Sequence, residues 1–414
     1  MSAPAGASAA APVVSLCIPT FERARYLRGL LPTLVEGLAG FPFAAEVVVS
    51  DNASTDETPA VLREFESQLP LRVFRHAENR GAYANVGFAL SQGAGTFLVY
   101  LADDDRLDFG ALAALLTRLL ASPRTVTAYA PWRIHDLVDD RAQGTFYAQP
   151  EDVLVARGDQ RTLLEHVLRH GAFPEISVVR RAAWHALRPR PSDLAYWAFV
   201  HASDYLGLGD VLLASEPFYV SISRHFEGPA RVQAGLEEVE VAWDRYRGGL
   251  EYMIARATPP PSESERAALL ARIDVVVAQR IAVAIRVRLA RNRDAVDTWM
   301  LACRLRGLGQ EALLPVPLGV LAARAALWFV AHGEGDPPGA TQVVCDASIR
   351  PDFRGYLASI AAARVRHGVP DDALTDCVLF AATDADVEPA RRARLTERGV
   401  RVVSLARTLA RFPA

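Results

Sequence analysis

Residues 96–105 read TFLVYLADDD: Thr96, the five apolar or aromatic residues Phe97 to Leu101, Ala102, and then Asp103, Asp104 and Asp105 in a row. The apolar run is too short for a helix and has the length of a strand buried on both faces. The same signature recurs upstream. Residues 13–18 (VVSLCI) lie between Pro12 and Pro19, residues 46–50 (EVVVS) form a second run, and residues 71–75 (LRVFR) a third. Helix-like stretches fall between them. One covers 24–38, one runs from Pro59 to 65 after the cap-rich loop DNASTDET at 51–58, and one covers 83–91 after the turn Asn79-Arg80-Gly81. Strict alternation of strand and helix predicts a parallel sheet covered on both faces, with ligands beyond the carboxyl ends of the strands. Asp51 and Asp103 to Asp105 stand at those ends.

Further along, strand-like pieces at 127–130, 176–179 and 218–222 alternate with helices and read as the second half of the same domain. From 236 to 330 the chain is almost entirely helical, interrupted at Pro259-Pro260-Pro261. Residues 332–340 (HGEGDPPGA) have linker composition. An α/β rhythm restarts at 341–414, with strands TQVVC, CVLFAAT and VRVVSL and helices near 354–367 and 389–398. The predicted organisation is a disordered tail at 1–12, an α/β nucleotide-binding domain at 13–235, a helical region at 236–332 and a small C-terminal α/β domain at 341–414.

With 414 residues, the chain exceeds the roughly 100 to 200 residues of one domain. A hydrophobic fraction of 51% with 22% charged residues is that of a folded globular protein. The formal net charge of −3 gives no field to hold a polyanion, so nucleic acid is an unpromising partner. Every one of the 45 basic residues is arginine, which excludes lysine Schiff-base chemistry and the lysine of a P-loop. Cys17, Cys303, Cys345 and Cys377 lack metal-ligand spacing and read as reduced thiols. The first dozen residues lack the basic and long apolar regions of a signal peptide, which points to the cytoplasm. Residues 313–330 are interrupted by Pro315, Pro317 and Arg324 and read as a buried helix, not a membrane span. The arginine-rich stretch 279–306, with Arg280, Arg286, Arg288, Arg291 and Arg293, is read as one helix. Its basic face is either solvated or apposed to another domain, or else contacts an anionic lipid surface.

Three adjacent carboxylates repel one another unless a cation neutralises them. A hard divalent ion such as Mg²⁺, which takes one or two protein carboxylates and completes its shell with phosphates, is the natural occupant, and Mn²⁺ suits equally. The plainer alternative is an acidic helix N-terminus ahead of Phe109.

The runs VSLCIPTFER, EVVVSDNASTDET, RHAENRGAYANVGFAL and GTFLVYLADDD, in this order and spacing, resemble family 2 glycosyltransferases of the GT-A fold. The likeness covers about 13–226 and leans toward bacterial enzymes of surface-polysaccharide synthesis. It implies a GT-A (Rossmann-like) nucleotide-sugar-binding domain and an inverting, metal-dependent transfer of a sugar from a nucleoside-diphosphate sugar to an acceptor hydroxyl. By resemblance, Pro19, Thr20 and Glu22 in the first loop lie against the nucleotide. Asp51 binds the base, and Asn79, Arg80 and Gly81 lie near base and phosphates, where a guanidinium can pair with the diphosphate. The family's acidic motif is usually DxD, and here Ala102 replaces its first aspartate. Asp104 is therefore assigned to Mn²⁺ or Mg²⁺ and Asp103 to the ribose, with Asp105 as an alternative ligand. Asp204, in HASDYLGLGD, lies where the family carries its general base. Asp210 is its rival, and a capping or salt-bridged aspartate is the plainer reading. Arg224-His225 match a late basic position near metal or diphosphate, and His225 is taken as a third ligand. Residues 173–181, with Glu175 and Ser177, are expected to form the acceptor wall. Trp132, His135, Trp184 and Trp197 are left to the core.

A non-catalytic nucleotide-sugar or glycan-binding module, or a sugar nucleotidyltransferase, are the competing functions. The expected partners are the donor and a sugar, lipid-linked or small-molecule acceptor. Contact with the inner face of a membrane and homo-oligomerisation stay open.

Overall fold

The computed structural model describes residues 11–187, 194–227, 239–240, 243–332, 342–361 and 364–414. The expected disordered tail and the linker at 332–340 fall almost wholly outside these residues.

The first strand, β1 (Val14–Thr20), is buried along nearly its whole length, as its apolar composition requires. It is followed by α1 (Ala24–Ala39), β2 (Ala45–Asp51), α2 (Thr58–Phe65), β3 (Leu71–Arg75), α3 (Ala82–Gln92) and β4 (Phe97–Tyr100). Helix α1 buries Ala24, Leu27, Leu30, Leu31 and Leu34, the three-and-four spacing of one helical stripe. Strands β3, β2, β1 and β4 are adjacent and parallel. The register sets Thr20 opposite Asp51, and Asp51 opposite Arg75. The carboxyl ends of three strands therefore lie level.

Next come β5 (Arg106–Leu107), α4 (Phe109–Ala121), β6 (Thr125–Tyr129), β7 (Trp132–Asp136), β8 (Arg141–Thr145), β9 (Val153–Val155), α5 (Gln160–His170), β10 (Ser177–Arg180), α6 (Arg181–Leu187), α7 (Trp197–Leu208), β11 (Asp210–Leu213) and β12 (Tyr219–Arg224). The main sheet has the order β3-β2-β1-β4-β10-β6-β11-β9. It departs from the all-parallel expectation, because β10 runs antiparallel to β4 and β6, and β9 antiparallel to β11. A second sheet, β5-β12-β7-β8, returns the chain to the acidic end of β4. Asp108 caps α4 by accepting from Ala111 N, so the helix start ahead of Phe109 has its own carboxylate and leaves Asp103 to Asp105 for other work.

The remaining helices are α8 (Trp243–Ala255), α9 (Glu263–Ala290), α10 (Ala295–Gly307) and α11 (Leu318–His332). The stretch 279–306 is two helices, not one. Asn292 adopts a positive φ of 48°, and Asp294 caps α10 by accepting from Val296 N and Asp297 N. Its basic face is largely engaged within the chain. Buried Arg288 bonds Thr298 and pairs with Asp297, and Arg291 and Arg293 both pair with Glu240. Among the described residues no helix is long and apolar enough to cross a membrane, and 313–330 is instead mostly α11, buried along one face.

The C-terminal part contains β13 (Val343–Cys345), α12 (Pro351–Ala361), β14 (Val365–His367), β15 (Val378–Ala381), α13 (Pro389–Glu397), β16 (Arg401–Ser404) and α14 (Leu405–Leu409). Its parallel sheet has the order β14-β13-β15-β16. The helix expected near 354–367 ends at Ala361, and Val365–His367 form β14 instead. By contacts the chain forms two compact units, residues 1–232 with 244–273, and residues 233–243 with 274–414. Helix α11 shares a core with β13, β15 and α12 through Ala325, Leu327, Val343, Leu357 and Phe380. The second half of the helical stretch thus condenses with the C-terminal sheet. The four cysteines are free thiols, and burial pushes that of Cys345 up to about 12.

Candidate active site

The site is built on the level carboxyl ends of β1, β2 and β4. Asn85 of α3, which is buried, clamps the first two: its amide donates to Thr20 O (3.3 Å) and Ser50 O (3.0 Å) and accepts from Ser50 Oγ (2.5 Å). Thr20 Oγ1 then donates to Asp103 Oδ2 (2.6 Å), joining β1 to the acidic end of β4. Glu22 has a positive φ of 57°, and its carboxylate accepts from Thr55 N (2.7 Å) and Thr55 Oγ1 (2.8 Å). The loop holding Pro19, Thr20 and Glu22 is thereby tied to the loop after β2.

Asp51 is 1% exposed. Its Oδ1 accepts from Ser54 N (2.9 Å), while Oδ2 has no hydrogen-bond partner and lies 3.5 Å from Arg75 Nη1. Asn52 reaches the third loop, donating to Asn79 Oδ1 (2.9 Å) and accepting from Arg80 N (2.9 Å). Asn79 in turn accepts from Gly81 N (2.8 Å). Gly81 has φ 84° and ψ 159°, a conformation essentially restricted to glycine. The Arg80 side chain is left exposed at the rim of these loops.

The three aspartates diverge. Asp103, 7% exposed, takes the Thr20 hydroxyl, and Arg23 Nε stands 3.7 Å from its Oδ1. Asp104 Oδ2 lies 3.3 Å from Arg23 Nη1 and 3.8 Å from His225 Nε2. Asp105 turns to the second sheet, where Oδ2 accepts from Tyr219 OH (2.8 Å) and Oδ1 from Ile222 N (2.8 Å). Burial, with the Asp104 charge beside it, raises the Asp105 carboxyl to about 7. Both oxygens of Asp105 already fix β12, so its geometry is that of a strut.

Strand β12 delivers His225, whose buried Nε2 has no hydrogen-bond partner. Burial, with Arg23 and Arg106 nearby, holds its imidazole below the ordinary range against the opposing pull of Asp104. Arg25, Tyr26, Asp104, Leu137, His225 and Phe226 line a small cavity of about 50 Å³ here. The neighbouring Arg224 is not part of it. Its Nη1 pairs with Asp136 (3.1 Å) and Asp139 (2.7 Å).

Asp204 lies on α7, and its Oδ1 accepts from Tyr252 OH of α8 (2.7 Å). It interacts electrostatically with Tyr129, the last residue of β6. Val178 of β10 faces both Val99 of β4 and Ala128 of β6, so Tyr129 is level with Tyr100. Asp204 thus acts on the end of β6, which is two strands, or about 10 Å, from the end of β4. Burial holds the His201 imidazole, one turn earlier, down to about 4, and its Nε2 is also without a partner. Asp210 is removed from contention as base. It opens β11 opposite Thr125 at the other edge of the sheet, where Arg157 N and Arg124 engage it. Glu175 and Ser177 stand between the two halves, at the start of β10, and Glu175 acts electrostatically on Tyr100. Trp132 and Trp184 are buried, and Trp132 stacks on Phe146 at 4.3 Å, as core aromatics do.

Arg23, Asn52, Asn85, Tyr219 and Tyr252 were not singled out from the sequence. Arg23, Asn52 and Asn85 sit inside the quoted runs, next to residues that were. Tyr252 gives no local signal.

The profile of the family described as glycosyl transferase family 2 matches residues 15–185. Abequosyltransferase RfbV of Salmonella typhimurium is 27% identical over 183 residues, covering 42% of this chain and 55% of that protein. A GalNAc(5)-diNAcBac-PP-undecaprenol β-1,3-glucosyltransferase of Campylobacter jejuni is 30% identical over 110 residues, covering 26% and 34%. A crystal structure of Staphylococcus aureus TarS with UDP-GlcNAc covers 78% of this chain and 93% of that one, at 16% identity and a TM-score of 0.47. The chain thus spans about half or less of the length of these two curated relatives. Residues 15–185 are similar to the glycosyl transferase family 2 domain, over less than half of the chain.

Proposed function

We propose that this chain transfers a sugar, with inversion, from a nucleoside-diphosphate sugar to an acceptor hydroxyl. The observation that carries the reading is the meeting of Thr20, Asp51, Asp103 and Asp104 at one sheet edge, inside the family-matched segment, beside a buried and partnerless His225 Nε2. Asp51, whose Oδ2 makes no hydrogen bond, receives the base. Asp103 turns to the ribose, and the loops of Pro19, Thr20 and Glu22 and of Asn79, Arg80 and Gly81 close around base and diphosphate, with the exposed Arg80 guanidinium free to pair with phosphate. Asp204 takes the proton of the attacking hydroxyl.

A divalent cation fits these residues. Asp104 and His225 converge with a nitrogen that has neither a hydrogen bond nor solvent, and they are the side chains that would hold Mn²⁺ or Mg²⁺, with Asp105 retained as a strut. A diphosphate would complete the shell of such an ion, as it commonly does for Mg²⁺ held by one or two protein side chains. When bound, such an ion neutralises charge on the departing nucleoside diphosphate.

The relatives' names point to glycan assembly, and one carries a PP-undecaprenol group. A surface polysaccharide or glycoconjugate on a lipid-linked acceptor, made in the cytoplasm at the inner membrane face, is the setting we propose. The transferase domain is taken as residues 13–235, with α8 added because it carries Tyr252. The test is release of nucleoside diphosphate from a panel of UDP-, GDP-, dTDP- and CDP-sugars with Mn²⁺ or Mg²⁺, after thermal-shift screening for donors that stabilise the fold. Stabilisation by a donor without any turnover would leave a binding module instead.

A further inference from the structure

We infer that Arg23 is the resident counter-cation of the Asp103–Asp104 pair, and that it keeps divalent metal out of the nucleotide-free site until a nucleoside diphosphate arrives. The inference rests on the metal assignment to Asp104 made above and goes beyond it by giving the site a second, built-in cation.

Asp103 and Asp104 are adjacent, their side chains are only 9% and 8% exposed, and two neighbouring carboxylates largely out of water require positive charge close by. Arg23 supplies it, with Nε 3.7 Å from Asp103 Oδ1 and Nη1 3.3 Å from Asp104 Oδ2. His225 Nε2 stands 3.8 Å from the same Asp104 oxygen, too far to hydrogen-bond. Arg23 and His225 therefore crowd one oxygen, Oδ2, of the carboxylate assigned to the metal.

The hold of Arg23 is electrostatic more than directional. Its Nη1 is buried yet makes no hydrogen bond, and the guanidinium lies 4.4 Å from the centroid of the Tyr26 ring. A fork-on-fork pairing of arginine with carboxylate would be stronger and harder to open. A cation held by charge and a ring face can be redirected when a better anion arrives, and a diphosphate is such an anion. A bare metal ion has to displace Arg23 with no new anion to receive it. A metal accompanied by diphosphate does not, so metal and nucleotide bind as a coupled pair.

Free Mn²⁺ is read by its electron paramagnetic resonance signal during titration of the full chain, alone and with UDP or GDP. The wild-type protein is expected to take up Mn²⁺ only when nucleoside diphosphate is present. Arg23→Gln should bind Mn²⁺ without nucleotide at least tenfold more tightly than wild type, and Asp104→Asn placed on top should abolish the gain. Arg23→Met, which keeps an unbranched side chain but removes the charge, serves as a second variant, and both are checked by thermal melting. If both fold and neither binds Mn²⁺ more tightly than wild type, while Asp104→Asn still abolishes the nucleotide-dependent uptake, Arg23 is not the competing cation and the metal assignment survives. If Asp104→Asn leaves nucleotide-dependent uptake unchanged, the metal assignment fails and the inference falls with it.

Discussion

Asp104 and Asp105 are neighbours in sequence with the same side chain, yet one faces Arg23 and His225 and the other is spent on Tyr219 and Ile222. Nothing in the triplet itself distinguishes them, because the distinction is made by β12, more than a hundred residues away. Asp104→Ala is expected to abolish Mn²⁺-supported nucleoside diphosphate binding and leave the melting temperature nearly unchanged. Calorimetric titration checks it, and unaltered affinity would remove Asp104 from the site. At the other end, Asp204→Asn keeps the Tyr252 hydrogen bond and the shape of the side chain but cannot take a proton. Donor affinity should persist while transfer falls by at least a hundredfold, the usual scale of general-base loss. Wild-type turnover in that variant would exclude Asp204 as base.

At the scale of elements, the loops after β1, β2 and β3 act as one body through Asn85, Asn52 and Glu22. The turn at Asn79-Arg80-Gly81 depends on a backbone that only glycine adopts readily at φ 84°. Gly81→Ala should cost about 1–3 kcal/mol in urea unfolding, the usual cost of such strain. It should also weaken nucleotide binding by moving Arg80, and an unchanged urea midpoint would show that the turn tolerates a side chain. Strands β1, β2 and β4 were legible because strands buried on both faces read as short apolar runs bounded by proline, glycine or acidic residues, whereas β3 (LRVFR) buries none of its residues fully and stood out only by its place between helices. Strand β8, with the sequence RAQGT, is exposed throughout and carries no apolar alternation, so it could not be found. Strand β14 is three residues long and was absorbed into the preceding helix. The break before α10 was visible in principle, since Asp294 is a good N-cap residue, but the density of arginines hid it.

For the whole molecule, the two units differ in what supports them. In the second, Arg391 joins Asp346 (2.8 Å) and Asp371 (2.8 Å) across the carboxyl ends of the small sheet. Burial works against Asp346, but its bonds to Ser348 and Arg391 win and hold its carboxyl below the usual range. The Arg391 fork does the same for Asp371. Carboxyls lowered by folding contribute stability above their unfolded value of about 4 and lose it as pH falls through the still lower folded value. The stability gap between wild type and Arg391→Met should therefore be constant from about pH 5 to 7 and close below about pH 4. Denaturant unfolding at each pH measures it, and a gap that widens in acid would refute the pairing.

The sequence by itself determined the alternating α/β domain, its carboxyl-edge aspartates and the absence of any lysine chemistry, because short buried strands and acidic strand ends are local patterns. Only the tertiary structure decided which aspartate faces the cavity, that Asp210 stands at the wrong edge, that Arg23 fills the place next to Asp104, and that Tyr252 holds Asp204. Each of these depends on which strands are neighbours and in which direction they run. Sheet order and strand direction arise from contacts between distant segments, and no local pattern of residues encodes them.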